Sequence, residues 1–193
     1  VMTEKHTFIP GNTNVYNKDY SSYSLEDVCL EMSSLGKGDI REPFIEVTYP
    51  NGSSTTDMVF DRAEIIQGKE EYDTLPGSYD DNGEVEQLVI YLKDRNYNLT
   101  LELHYYVYEK CDIITRSAKL VNSGNESVRL ERLMSMQLDL NESDYELSFF
   151  NGAWAREMNR SRIPIRAGKY VNESVTGTSS NRANPFFMIG RSS

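Results

Sequence analysis

The stretch GKGDIREP, residues 36–43, places a carboxylate and a guanidinium two positions apart, at Asp39 and Arg41. In an extended segment two such side chains point to the same side. They can form an ion pair with each other, or they can together hold the vicinal hydroxyls of a sugar. The residue types favour the internal pair, and a sugar-binding loop stays open as the second interpretation.

The pattern of the same stretch excludes a phosphate-binding loop. A dinucleotide loop has the order GxGxxG, follows one strand and opens a helix. Here Arg41 stands where the third glycine belongs, and the next residues, FIEVTY, alternate as a strand does. The two glycines instead predict a loop whose backbone can come close to a partner.

The only tryptophan, Trp154, lies in a second stretch of interest, FFNGAWAREMNRSRIPIRAG. Charged residues follow it at Arg156, Glu157, Arg160 and Arg162. One interpretation is a core tryptophan at a strand end with a basic loop beyond it. The other is an aromatic platform at a binding edge or interface, because Trp and Arg are over-represented at such anchors. Composition does not choose between the two.

The sequence nominates no catalytic residues and no metal ligands. His6 and His104 fall in a terminal arm and on the polar face of a strand, so the spacing yields no nucleophile–histidine set. A retaining glycosidase needs two carboxylates about 5 Å apart, and the sequence singles out no such pair. Cys29 and Cys111 form no CxxC motif, and we predict both to be buried, structural and outside any disulfide. We therefore expect no cofactor and a reducing, cytoplasmic compartment.

Composition bounds the partners. The 193 residues are 38% hydrophobic and 11% aromatic, which suffices for a packed core. Thirty acidic against twenty basic residues give a net charge of −10, which disfavours binding to nucleic acid and to anionic lipid. No run approaches the roughly 18 to 20 apolar residues of a membrane span, and the N-terminus lacks the pattern of a signal peptide. We expect a globular protein that binds neither nucleic acid nor membrane.

The elements that must position these side chains are β-strands. NLTLELHYYVY and VRLERLMSMQLDL both alternate with a period of two. Between them DIITRSAKLV is a further β-rich run, and NSGNES, which joins it to the next run, has the residues of a hairpin turn. The segment 68–84 is predicted to be a surface excursion. About ten strands predict an all-β antiparallel sandwich in a single domain, 1–193, with an N-terminal arm at 1–23. The other strands are predicted at 27–33, 44–49, 57–66, 85–93, 145–150, 165–175 and 185–189.

Four blocks in this order carry a family resemblance: the loop Gly-Asp-x-Arg-x-Pro, the hairpin RSAKLVNSG, the segment GAWARE and the closing NPF. Over residues 24–189 the chain resembles the N-terminal domain of bacterial α-galactosidases of glycoside hydrolase family 36. The resemblance implies a large antiparallel β-supersandwich, galactose-mutarotase-like, of which this chain is a fragment truncated at both ends.

The resemblance also implies what the protein does. In that family a (β/α)8 barrel follows this domain and carries the two catalytic aspartates of a retaining mechanism, and we expect none of that barrel within this chain. The chain would be non-catalytic, with its own barrel domain and neighbouring subunits as partners, in an oligomer that hydrolyses terminal α-galactosides. One subunit's N-terminal domain helps to build another's galactose pocket, so the resemblance implies that Asp39, Arg41 and Trp154 lie at or near that contact.

The alternative is a stand-alone carbohydrate-binding or adhesive β-sandwich. A barrel-encoding reading frame downstream of Ser193 would distinguish the two. An aldose-mutarotase-like enzyme is a third interpretation, which two histidines support poorly because that chemistry needs an acid and a base in the sandwich cleft.

Overall fold

The computed structural model describes residues 29–36, 39, 41–75, 77–140, 144–175 and 182–191. The described part contains nine β-strands, one 3₁₀ turn at Glu109–Cys111 and no α-helix, and thus no helix able to cross a membrane. All paired strands are antiparallel, which confirms the predicted fold class; the predicted arm 1–23 lies outside the described residues. The strands are β1 Ile45–Thr48, β2 Met58–Gln67, β3 Glu86–Asp94, β4 Leu99–Tyr108, β5 Ile113–Asn122, β6 Arg129–Leu133, β7 Tyr145–Ala153, β8 Arg156–Pro164 and β9 Ala183–Arg191.

The chain divides into two compact units, residues 1–139 and 140–193, and each is described by itself. The first unit holds a four-stranded sheet in the order β2-β3-β4-β5 and a two-stranded sheet of β1 and β6. The second unit holds a three-stranded sheet in the order β8-β7-β9. The single domain over residues 1–193 stays a prediction.

The core of the first unit joins its two sheets. Leu99, Leu101 and Leu103 of β4 and Ile45 and Val47 of β1 are each at most 2% exposed. Burying one such side chain contributes about 1.5–3 kcal/mol. The alternation predicted for NLTLELHYYVY is confirmed in this half of β4. The same cluster includes Phe44, Tyr49 and Leu92.

The opposite face of β4 is covered as well, towards the C-terminal end of the strand. Tyr106 is 1% exposed, and its hydroxyl lies 2.5 Å from that of Tyr72, which in turn lies 2.6 Å from Ser117 Oγ. His104 is buried beside it. The excursion 68–84 therefore reaches back onto the sheet through Tyr72, and the buried His104 ring forms a hydrogen bond with the Gln87 side chain at 2.8 Å.

The alternation in VRLERLMSMQLDL predicts a strand over residues 128–140, but the strand that forms is shorter. β6 ends at Leu133, and the amide of Met134 donates to the Phe44 carbonyl at 3.0 Å. Met136 and Leu138 are 47% and 60% exposed. The strand predicted over 128–140 is too long, because alternation specifies a strand only where a partner strand runs beside it.

Two other predicted strands are wrong and one strand was missed. In the described part of the chain, residues 29–33 and 165–175 form no strand. The sequence indicated a basic loop after Trp154, yet β8 forms there and pairs with β7 from Pro164 back to Arg156. The arginines of β8 interrupt the apolar alternation by which a strand is predicted from sequence. Backbone pairing with β7, in contrast, depends little on side-chain type.

The predicted burial of the cysteines is also wrong. Cys29 and Cys111 are both exposed, and neither is in a disulfide in the part of the chain that the structure describes. Cys111 closes the 3₁₀ turn between β4 and β5 rather than lying in a strand. Chain reversals run over the surface, which places this thiol in solvent.

Among the tyrosines of the first unit, burial raises the pKa most strongly for Tyr49, Tyr105 and Tyr106. In each case desolvation is the largest cause. Acidic partners add to it for two of them, since the hydroxyl of Tyr49 donates to Asp94 at 3.1 Å and that of Tyr105 to Glu31 at 2.5 Å.

These shifts predict a loss of stability at alkaline pH. The unfolded chain releases phenol protons near pH 10, whereas the folded chain keeps these three, so their contribution is complete below about pH 10 and is lost as pH rises above it. We expect the urea midpoint of unfolding to fall between about pH 10 and 11. In a chain with all three tyrosines changed to Phe that fall should be shallower; an unchanged slope would contradict the prediction.

Candidate functional site

Ser33 closes the base of the loop that carries Asp39 and Arg41. The Phe44 amide lies 3.0 Å from both the carbonyl oxygen and the Oγ of Ser33, and Ser33 Oγ donates to the Glu42 carbonyl at 2.9 Å. Ser33 is 2% exposed and Phe44 is fully buried. The loop is therefore anchored directly to the core next to β1.

Asp39 and Arg41 form the internal pair that the sequence favours. The Arg41 amide and Nε both donate to Asp39 Oδ1, at 3.0 and 2.9 Å. The Asp39 side chain is 3% exposed and that of Arg41 is 23% exposed. The pair fixes the carboxylate through two donors of one residue and leaves part of the guanidinium at the surface.

A second carboxylate, that of Asp139, pairs with Arg41 from a distant part of the chain. Arg41 Nη1 contacts Asp139 Oδ2, which also accepts a hydrogen bond from the Leu30 amide at 2.8 Å. Asp139 is not among the site residues predicted from the sequence, in which it lies on the polar face of the strand predicted over 128–140. Since 98 positions separate it from Arg41, no local pattern connects the two.

Arg116 of β5 contacts both chain segments that meet at Arg41. Its Nη1 donates to the Gln137 carbonyl at 3.0 Å, and its Nη2 lies 3.3 Å from a Glu31 carboxylate oxygen. Its guanidinium also stacks 4.5 Å from the ring centroid of Tyr105. Only 11% of the Arg116 side chain is exposed. Residues 31 and 137 thus both contact the same partly buried cation.

One oxygen of the Asp39 carboxylate has no hydrogen-bond partner among the described residues. This atom, Asp39 Oδ2, is buried. An unsatisfied buried acceptor costs about 1–3 kcal/mol, and more when it is charged, so the position favours a donor from elsewhere. Sugar hydroxyls and cationic or amide side chains are such donors. The arrangement can therefore bind a polar group beside a partly exposed guanidinium.

Gly36 is required by the geometry of this loop. Its φ is +82°, and a Cβ at this position would lie less than 3.0 Å from three atoms of the Thr55 side chain. We expect Gly36→Ala to destabilise the chain by about 2 kcal/mol, as the sum of backbone strain and the clash. Urea unfolding measures this loss.

Gly83→Ala is the matched control for that substitution. Gly83 has a φ of +65° with nothing within 4 Å of a Cβ, so it reports backbone strain alone. We expect it to cost about 1 kcal/mol. Equal losses for the two variants would show that Thr55 moves aside freely.

Trp154 lies in the second unit at the turn of the β7–β8 hairpin and is 89% exposed. Ala155 next to it has a φ of 58°, and its amide donates to Glu157 Oε1 at 2.9 Å. The core interpretation of Trp154 is wrong, because the side chain stands on a hairpin turn. Its role as a binding platform stays a prediction. The structure thus joins two of the three predicted site residues, Asp39 and Arg41, within the first unit.

No group of three His, Cys, Asp or Glu side chains is arranged to hold a metal ion within the described ranges. The groups that the described loop presents are hydrogen-bond acceptors and a cation.

Comparison with known proteins gives consistent matches over nearly the whole chain. The model of the glycosyl hydrolase family 36 N-terminal domain matches residues 2–193. Alpha-galactosidase AgaA of Geobacillus stearothermophilus is 37% identical over 169 residues, which are 87% of this chain and 23% of that protein. The bifunctional alpha-galactosidase/sucrose kinase AgaSK of Mediterraneibacter gnavus is 32% identical over 189 residues, which are 98% of this chain and 20% of that protein.

Solved structures agree with the sequence matches. The crystal structure of the alpha-galactosidase from Lactobacillus brevis matches with a TM-score of 0.87 and 36% identity over 95% of this chain and 25% of that one. A variant of AgaA in complex with raffinose matches with a TM-score of 0.84 and 34% identity over 94% of this chain and 25% of that one. The chain spans about a quarter or less of the length of these relatives. On the match over residues 2–193, the chain belongs to the family of glycosyl hydrolase family 36 N-terminal domains.

Proposed function

We propose that this chain is the non-catalytic N-terminal domain of an α-galactosidase whose catalytic barrel lies in another part of the parent protein. The relatives that support this are named alpha-galactosidases, and the chain covers only 20–23% of the two described above. The parent would hydrolyse terminal α-galactosides, and this domain would pack with its own barrel and with neighbouring subunits. A reducing, cytoplasmic location belongs to the same proposal.

The more specific part of the proposal is that the Asp39–Arg41 loop helps to assemble the oligomer and its galactose pocket. The buried Asp39 Oδ2, without a donor among the described residues, carries this part. A carboxylate oxygen that is held rigidly beside a guanidinium suits a sugar hydroxyl or a polar side chain of another subunit. Trp154, exposed on its hairpin, is proposed as a second contact, because an exposed aromatic ring can stack on a sugar or anchor an interface.

Asp39→Asn in the full-length protein tests the loop. Asparagine can keep the acceptor for Arg41 and place an NH2 group where Oδ2 lies, so it converts the acceptor into a donor. We expect KM for a nitrophenyl α-galactoside to rise about tenfold or more, or the oligomer to dissociate at a higher protein concentration than the unaltered protein does. The reason is that hydrogen bonds to charged groups contribute about 1.5–3 kcal/mol. Size-exclusion chromatography and steady-state kinetics measure the two effects.

Asp61→Asn is the control, because Asp61 of β2 pairs only with neighbours on its own sheet in the described structure, Arg62 and Lys93. Unchanged KM and unchanged assembly in Asp39→Asn would contradict the role of the loop.

The 193-residue chain alone should show no turnover of melibiose, and stoichiometric turnover by it would contradict the non-catalytic assignment.

A further inference from the structure

We propose that Asp139 is a positioning residue. It holds Arg41, and the segment around Leu30 that precedes the loop, in the orientation in which a sugar or a partner binds. The inference rests on the proposed function of the Asp39–Arg41 loop and extends it to a residue at the far end of the first unit.

A single carboxylate oxygen ties both sides of the loop. Asp139 Oδ2 accepts the hydrogen bond of the Leu30 amide at 2.8 Å, and the same atom pairs with Arg41 Nη1. Leu30 precedes Asp39 in the chain and Arg41 follows it. Both contacts reach across about a hundred positions of sequence, 109 and 98. The loop is therefore located relative to the end of the first unit as well as to the core.

The two carboxylates together determine how the guanidinium lies. Asp39 accepts a hydrogen bond from Nε of Arg41, and Asp139 pairs with its Nη1. Because a guanidinium is planar and rigid, contacts at two of its nitrogens fix the plane and its rotation. Loss of the Nη1 contact would let the group turn about Nε. A cation already fixed in one orientation loses less freedom when it binds, which favours affinity.

Asp139 is itself held in place. Gln137 Nε2 lies 3.3 Å from both of its carboxylate oxygens, and the Gln137 carbonyl accepts a hydrogen bond from Arg116. The Asp139 side chain is 19% exposed, so it is not a mobile surface group. The series of contacts runs from the partly buried Arg116 of β5 through Gln137 and Asp139 to Arg41.

The test uses Asp139→Asn, Asp139→Ala and Asp139→Glu in the full-length protein. Hydrogen exchange at the amides of Leu30 and Arg41 reports whether the loop opens, and we expect about tenfold faster exchange in Asp139→Ala and a smaller increase in Asp139→Asn. In kinetics we expect KM for a nitrophenyl α-galactoside to rise about tenfold with kcat within about twofold, and Asp139→Glu to recover part of the loss. Asp139→Asn keeps the test valid if the alanine variant does not fold.

Glu131→Gln is the matched control. Glu131 is a carboxylate of β6 in the same unit, and it pairs with Arg129 and Thr48 rather than with the loop. We expect its hydrogen exchange at Leu30 and Arg41 and its KM to match the unaltered protein.

Three results would overturn a proposal, and they are separable. Unchanged exchange at Leu30 and Arg41 in both the asparagine and alanine variants would overturn the positioning role outright. If the Asp139 variants exchange faster but keep their KM, while Arg41→Ala raises KM, then Asp139 is only a structural contact. If Arg41→Ala also leaves KM and assembly unchanged, the proposed function fails, while faster exchange would still establish that Asp139 holds the loop.

Discussion

Arg41→Ala is expected to destabilise the 193-residue chain by about 3 kcal/mol and to lower kcat/KM of the proposed full-length α-galactosidase by about a hundredfold. The reason is electrostatic: the substitution leaves the Asp39 carboxylate, 3% exposed, and that of Asp139, 19% exposed, without the cation between them. Breaking a buried ion pair by removing one partner costs about 3–5 kcal/mol, and the partial exposure of Asp139 places the estimate at the lower end.

A mutant cycle separates the charge effect from lost packing. Adding Asp39→Asn to Arg41→Ala removes the uncompensated buried charge, so we expect the double variant to recover at least about 1 kcal/mol relative to Arg41→Ala. Urea unfolding of the four proteins at neutral pH gives the coupling. Strict additivity would mean that the two side chains do not interact.

Arg62→Ala is the matched arginine control. Arg62 of β2 pairs with Asp61 and Glu64, but its side chain is 48% exposed. Surface pairs of this kind contribute about 0–1 kcal/mol. A loss as large as that of Arg41→Ala would show that burial does not set the difference.

Asp94→Ala is expected to cost about 4 kcal/mol, the second large effect. The Asp94 carboxylate, 8% exposed, accepts four hydrogen bonds at the turn between β3 and β4. Oδ2 accepts hydrogen bonds from the Tyr49 hydroxyl at 3.1 Å and from the Asp57 amide at 2.9 Å. Oδ1 accepts hydrogen bonds from the amides of Asn96 and Tyr97, at 2.8 and 3.1 Å. The hydrogen bond from Tyr49 is buried and the other three are partly buried. Each buried donor left unsatisfied costs about 1–3 kcal/mol, and hydration of the partly buried amides together with relaxation of the turn recovers part of the sum.

Asp94→Asn should cost about half as much, since its amide oxygen keeps two of the four donors. Asp80→Ala is the control, because Asp80 also caps a turn, through the Glu84 amide at 2.8 Å, yet in an exposed segment. We expect a loss of about 1 kcal/mol or less there. Thermal and urea unfolding compare the three; equal losses for Asp94→Ala and Asp80→Ala would contradict the role of burial.

Sequence reasoning succeeded where a side chain's environment is dictated by its neighbours in the chain. The alternation from Leu99 to Leu103 predicted the buried face of β4, because a pleated strand must turn alternate residues to the same side. The spacing of Asp39 and Arg41 favoured their ion pair for a similar reason. Four ordered motifs then indicated the family, which the match over residues 2–193 confirms.

It failed where the outcome depends on a partner far away in sequence. The alternation from Met134 to Leu140 has no strand beside it among the described residues and forms no strand, and β8 forms from an arginine-rich segment because β7 pairs with it. The exposure of Trp154 follows from its place on a hairpin turn. In each case the residues alone are compatible with two structures, and the backbone partner selects one.

The residues by themselves determined the class of fold and the family and favoured the internal Asp39–Arg41 pair, since local periodicity, motif order and short spacing are written in the chain. Only the tertiary structure decided that Asp139 completes the environment of Arg41, that Arg116 ties the two segments together, and that Asp39 keeps one buried oxygen without a partner among the described residues. The physical reason is that ion pairing and desolvation depend on distance in space, and 98 positions of chain separate the two charges that meet at Arg41 and Asp139.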